Sequence, residues 1–291
     1  MTNNMLIANN ADHSVYYKRI TSKHRFFSFN LAELNRYRDL VLLLTKKTLS
    51  VTYKQTILGP IWLFITPIIT SLIHTLVFGS VANINTDGIP ALLFYFFSTA
   101  IWSLFSNCLT NCSETFTSSV HLLSKVYFPR LVMPVSIVLS SIIKFLLQLI
   151  PAMILYVYYL STGFVSFSFA RFLLFPISIM LVALLGMGFG LIVSALTIKY
   201  RDLHVLIKFG VSIWMYISPV VYPLSAVSVR LQQIMSINPV TFPIELMRYS
   251  LWSASTITFS SMAISLVVSI TVLLLGVMLF NHVERTFADT V

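Results

Sequence analysis

The sequence predicts an all-α integral membrane protein, and three observations carry that reading. Apolar residues fill 57% of the 291 positions and charged residues only 10%, where soluble domains carry about 25% charge. Mean hydropathy is +0.87. The apolar residues run continuously over stretches near the ~20 residues that a helical crossing needs, unlike the short alternating segments of a membrane barrel. This composition excludes a water-soluble enzyme, a disordered chain and a disulfide-stapled secreted chain.

Residues 1–30 read as a cytoplasmic tail, with no apolar core long enough for a signal peptide. An interface helix and elbow occupy 31–58, and a six-span domain occupies 59–291. Between 31 and 54, Leu34, Tyr37, Val41 and Leu44 share one helical face. Asn35, Arg36, Asp39, Lys46 and Lys47 oppose them, although Leu42 and Leu43 blur the boundary. This pattern predicts a helix in the inner-leaflet interface, its basic face toward lipid phosphates. The competing reading is a cytoplasmic helix packed on a partner. At Gly59-Pro60 the helix breaks, because the residue before proline avoids helical geometry while proline suits a first turn.

Spans are expected at 60–82, 90–113, 131–160, 171–197, 205–222 and 259–281. The third is too long for a straight crossing and holds Pro151, so it must tilt, kink or extend past the bilayer. The fifth is short and ends in Ser218-Pro219, which suits a broken or re-entrant course. The two halves share neither motif nor span length, so no internal repeat is read.

Orientation follows from the cations. With the N-terminus inside, fifteen of the 19 Lys and Arg are cytoplasmic. Arg171, Arg230 and Arg248 then fall outside, and Lys144 lies within the third span. Both termini are therefore placed in the cytoplasm. The net charge of +10 is assigned to this bias and to anionic lipid, with no nucleic-acid partner expected.

None of the nine carboxylates falls in the middle of a span, which disfavours an ion-coupled transporter. The chain has no HExxH, glycine-rich phosphate loop or GxSxG, so no enzyme chemistry and no cofactor are expected in it. His74 and His121 stand alone, and Cys108 and Cys112, four apart in an apolar run, read as small packing residues rather than a metal pair. Lys144 either lines an aqueous path or an anionic ligand, or snorkels or pairs inside the bundle. Interfacial belts account for most of the 23 Phe, 13 Tyr and 4 Trp. Trp102, Trp214, Tyr216 and Tyr222 form the subset proposed for an interior path, where aromatic faces would stack on the C–H faces of sugars.

The run Tyr53-Lys54-Gln55-Thr56-Ile57-Leu58-Gly59-Pro60-Ile61-Trp62 resembles the signature of type-2 ABC exporter permeases that move lipid-linked polysaccharides. Two softer segments agree with it. One is Gly190-Leu191-Ile192-Val193-Ser194-Ala195 with Tyr200-Arg201-Asp202-Leu203; the other is Asn238-Pro239 with Pro243-Ile244-Glu245-Leu246-Met247-Arg248-Tyr249. The resemblance spans about residues 31–285 and implies a homodimer enclosing a conduit, with two copies of a separate ABC ATPase that binds ATP and Mg. It implies a bacterial inner-membrane location and a glycan on a polyprenyl pyrophosphate carrier, most of all an O-antigen. Capsule, teichoic acid and small hydrophobic drugs are the alternative cargoes, and a membrane scaffold without transport is the rival from another class.

By the same resemblance the elbow at Gly59 and Pro60 becomes a lateral way in for the lipid-linked end. Arg36, Arg38, Lys46, Lys47 and Lys54 become candidates to attract the pyrophosphate. Residues 114–130, with Glu114, His121, Lys125 and Arg130, become the main segment coupled to the ATPase. The shorter loop with Tyr200, Arg201 and Asp202 becomes the second contact. Segment 223–258 resembles the family's outer re-entrant helices, proposed to gate the exit.

Overall fold

The computed structural model describes residues 31–53, 59–118, 128–197, 202–252 and 259–288, and every regular element among them is helical. Helices α1 (Leu31–Arg36) and α2 (Arg38–Tyr53) lead to a 3-10 turn at Gly59–Ile61. Gly59 takes φ +52°, a left-handed value that penalises a side chain, so glycine is what the break requires. From that turn the first crossing runs as α3 (Trp62–His74) into a π-helical stretch, Thr75–Val81.

Four further helices are long and apolar enough to cross a membrane. They are α4 (Ala91–Ser113), followed by the single turn α5 (Thr115–Ser118), then α6 (Val132–Ser161), α8 (Phe175–Thr197) and α12 (Phe259–Ala288). The short α7 (Phe169–Phe172) opens the approach to α8. Boundaries fall within a few residues of those read from hydropathy, except that α12 continues to Ala288, past the expected end at 281. Pro151 lies inside an unbroken α6, whose 30 residues reach ~45 Å at ~1.5 Å each and so overrun a ~30 Å hydrocarbon core.

The expected fifth span is the shorter apolar helix α9 (Leu203–Ile217). Its 15 residues reach only ~22 Å. It stops at Ser218, whose extended backbone (φ −90°, ψ 152°) turns the chain. A 3-10 turn at Leu224–Ala226 and helices α10 (Val229–Ile237) and α11 (Thr241–Trp252) follow.

Helix α8 is central, packed between α4 and α12, and close approach explains why it is rich in glycine. A Cβ on Gly186 or Gly190 would lie 2.6 Å from the Cβ of Cys108 or Cys112. On its other side, a Cβ on Gly188 would meet the backbone of Val272 and Leu273 at 2.8–2.9 Å. Small residues four apart let membrane helices touch backbone to backbone. Both cysteines are buried free thiols in that seam. Aromatic residues of α4, including Phe94, Phe97 and Phe105, fill the main core.

The apolar face of α2 packs on the protein itself. Val41 and Leu44 pack on Phe128, Val132 and Met133, and the Thr45 hydroxyl donates to the Ser136 carbonyl at 3.3 Å. That face is thus covered by the protein's own α6. Leu42 and Leu43 remain exposed beside Arg36, Lys46 and Lys47.

Candidate functional site

At the C-terminal end of α9 the chain builds an aromatic corner. The Trp214 ring meets Phe105 and Phe189 edge-on, with centroids 5.2 and 5.4 Å away. Trp102 joins the cluster at 6.5 Å from Trp214. The structure therefore brings Trp102 and Trp214 together, but Trp102 is only 6% exposed and serves the core in this conformation. Tyr216 is 53% exposed. Tyr222 is half-buried, its hydroxyl donating to the Tyr216 carbonyl at 3.1 Å and lying 3.7 Å from Met235 Sδ. Lys144 is half-buried on α6.

Asn238 clamps the corner. Its carboxamide accepts from Trp214 Nε1 at 3.2 Å and from the Val240 amide at 3.2 Å, and donates to Ser218 Oγ at 2.8 Å. A second clamp comes from Arg248, one of the most deeply buried large side chains at 1% exposure. Arg248 Nη1 donates to Glu245 Oε1 at 2.7 Å, and Nη2 donates to Ser98 Oγ at 2.8 Å and to the Val220 carbonyl at 3.3 Å. Its guanidinium also stacks 4.1 Å over the Phe94 ring. The positive-inside count treats Arg248 as an outer charge, but its side chain is buried in protein. The Glu-x-x-Arg spacing at 245 and 248, one turn apart inside an apolar helix, is the signal that could have found the pair.

On the opposite face, Glu114 caps the C-terminal end of α4 and meets α9. It pairs with His204 and with Lys208 Nζ at 3.1 Å. This contact joins the start of the first proposed coupling segment to the helix after the second. Arg130 sits half-buried in the turn before α6, and Asp202 is exposed just before α9. On α1 and α2, Arg36, Arg38, Lys46 and Lys47 are all exposed, and Arg38 lies 3.8 Å from Asp39. Pro60 is exposed at the first turn of the crossing. Lys54, His121, Lys125, Tyr200 and Arg201 lie outside the described residues.

Three relatives share extended similarity with this sequence. The O-antigen export system permease protein RfbA of Myxococcus xanthus is 28% identical over 67% of this chain and 72% of its own length. Two Klebsiella pneumoniae proteins of the same name are each 25% identical over 86% of this chain and 94% of theirs. The model of the family described as ABC-2 type transporter matches residues 39–252. With most of its length covered by that match and five helices fit to cross a membrane, the chain belongs to the ABC-2 type transporter family and is a multi-pass membrane protein.

Proposed function

We propose that this chain is the permease subunit of an ATP-driven exporter that carries a polyprenyl-pyrophosphate-linked O-antigen across the bacterial inner membrane. The observation that carries the cargo is that relatives named as O-antigen export permeases align along as much as 86% of the chain. The permease contributes no catalysis. ATP and its Mg belong to two copies of a partner ATPase, docked beneath 114–130 and the loop before α9.

Two copies of this chain would enclose the conduit, since the described residues of one copy give α9 no inner wall. One face of that helix is open, with Phe209, Ile213 and Tyr216 exposed along it. Tyr216 and the half-buried Trp214 and Tyr222 offer sugar-stacking surface, with Trp102 supporting them from behind. In this reading α9 and the outer segment make the sixth crossing, and both termini are cytoplasmic. The exposed cations of α2 lie ready for the pyrophosphate or for anionic lipid headgroups.

Deleting the gene in the bacterium that carries it tests the reading. Surface O-antigen should disappear, lipid-linked polymer should accumulate inside, and the intact chain should restore export. An unchanged surface polysaccharide overturns it. An accompanying change in drug resistance would then favour a hydrophobic small-molecule cargo.

A further inference from the structure

The exporter reading uses Asn238-Pro239…Glu245-x-x-Arg248 only as a point of resemblance and gives its side chains no task, yet the segment holds a charge that membrane proteins seldom bury without a role. A buried ion pair is weak evidence of stabilisation, because apolar residues of similar volume often serve a fold as well. The geometry shows what else this pair does. Arg248 and Glu245 sit one turn apart on the same helix, so they move together and the charge stays neutralised wherever α11 goes. The remaining bonds of Arg248 reach two other elements: Ser98 on α4 and the Val220 carbonyl at the corner after α9. Those bonds can break without stranding a bare charge.

Everything the pair touches is deeply buried. Ser98 and Val220 are 0% exposed. Arg248 Nε finds no acceptor among the described residues, so the site is not maximally satisfied. From the other side, Asn238 holds the same corner through Ser218. Releasing the corner would free the end of α9 that carries Trp214 and Tyr216.

We propose that Arg248, Glu245 and Ser98 form a buried, releasable tie that pins the outer corner Ser218–Val221 to α4 and keeps the outer end of the export path closed between transport events. Arg248 is a positioning residue, acting through Val220 on the residues of the path. The inference rests on the exporter reading, and its test is separate from the deletion experiment.

The test uses the full permease–ATPase complex in sealed vesicles without cargo, with leakage of a small polar dye and ATPase rate as readouts. Ser98→Ala removes the acceptor on α4 and leaves the ion pair intact. Dye leakage should rise about tenfold, the scale of one lost charge-assisted hydrogen bond. Ser98→Thr keeps the hydroxyl and should stay sealed. The double variant Glu245→Gln/Arg248→Met removes both charges together, so it strands neither, and it too should leak. Vesicles as tight as wild type with both Ser98→Ala and the double variant overturn the tie. Should the double variant fail to accumulate, Ser98→Ala against Ser98→Thr decides alone, and equal leakage from those two overturns the tie. Failure of the exporter reading looks different: deletion of the gene then leaves surface polysaccharide intact, whatever the vesicles show.

Discussion

Replacing Gly188 by alanine pits two effects of opposite sign against each other. Alanine in a helix interior gains about 1 kcal/mol over glycine through backbone entropy. At Gly188, however, the new methyl would sit 2.8 Å from the Leu273 amide nitrogen and 2.9 Å from its Cα, and backbone cannot swing aside like a side-chain tip. Helices α8 and α12 must separate, and overpacking of that kind costs about 1–3 kcal/mol. The upper end applies, because the obstruction is main chain on one side and α4 blocks retreat on the other. A net loss of about 2 kcal/mol should lower the thermal midpoint of the detergent-solubilised protein by about 4–8 °C. Gly210→Ala is the matched control. Among the described residues nothing beyond its own helix lies within 4 Å of a Cβ placed there, so only the entropy gain applies and the midpoint should hold or rise. Tryptophan fluorescence during heating measures both. Equal midpoints for the two variants would refute the close α8–α12 crossing.

Two further outcomes concern coupling and uptake. Glu114→Gln removes the charge that faces His204 and Lys208; exposed pairs contribute at most about 1 kcal/mol, so the protein should still insert and bind its ATPase. Export per ATP hydrolysed should nevertheless fall, and an unchanged ratio would show that the contact carries no force between the two cytoplasmic segments. Neutralising Arg36, Arg38, Lys46 and Lys47 together should lower export of lipid-linked polymer with the elbow intact. Normal export in confirmed membrane insertions would leave α2 as a structural brace on α6.

Hydropathy made the crossings legible because a bilayer imposes one strong, local requirement: an apolar run of fixed length. Ala91–Ser113 is recovered almost to the residue for that reason. Cys108 and Cys112 were readable as packing residues, since thiols four apart in such a run suit a close helix crossing. Their partners Gly186 and Gly190 are supplied by tertiary contact and leave no local trace in the pattern around the cysteines. Amphipathicity identified the apolar face of α2 but not what covers it, because lipid and α6 present the same chemistry. The burial of Arg248 was not legible for a related reason. Charge counting assigns a cation to a side of the membrane, whereas its burial depends on Ser98, 150 positions away. The pairing of Glu114 with α9, 90 positions distant, is equally invisible to any local window.

The open face of α9 offers a direct trial of the conduit. Val205, Phe209 and Ile213 are exposed along it, as lipid contact alone would explain. Lys208, Ser212 and Tyr216 are exposed there too, spaced four apart and therefore stacked along one edge. Lys208 pairs with Glu114 and the Ser212 hydroxyl donates to the Lys208 carbonyl, yet all three side chains keep exposed polar surface that a water-filled passage for sugars would solvate and hydrocarbon would not. Cysteine labelling separates these surroundings. The native Cys108 and Cys112 are 0% exposed, so they add little background. Ser212→Cys should react with a charged, membrane-impermeant maleimide, because a thiolate forms readily only where water reaches it. Ile264→Cys, at a 64% exposed position of α12, should react at least tenfold more slowly if that face meets lipid. Stalling export with the glycan engaged should then protect Ser212→Cys and leave the α12 position unchanged. Equal, slow labelling at both positions would place α9 against lipid and remove it from the sugar path.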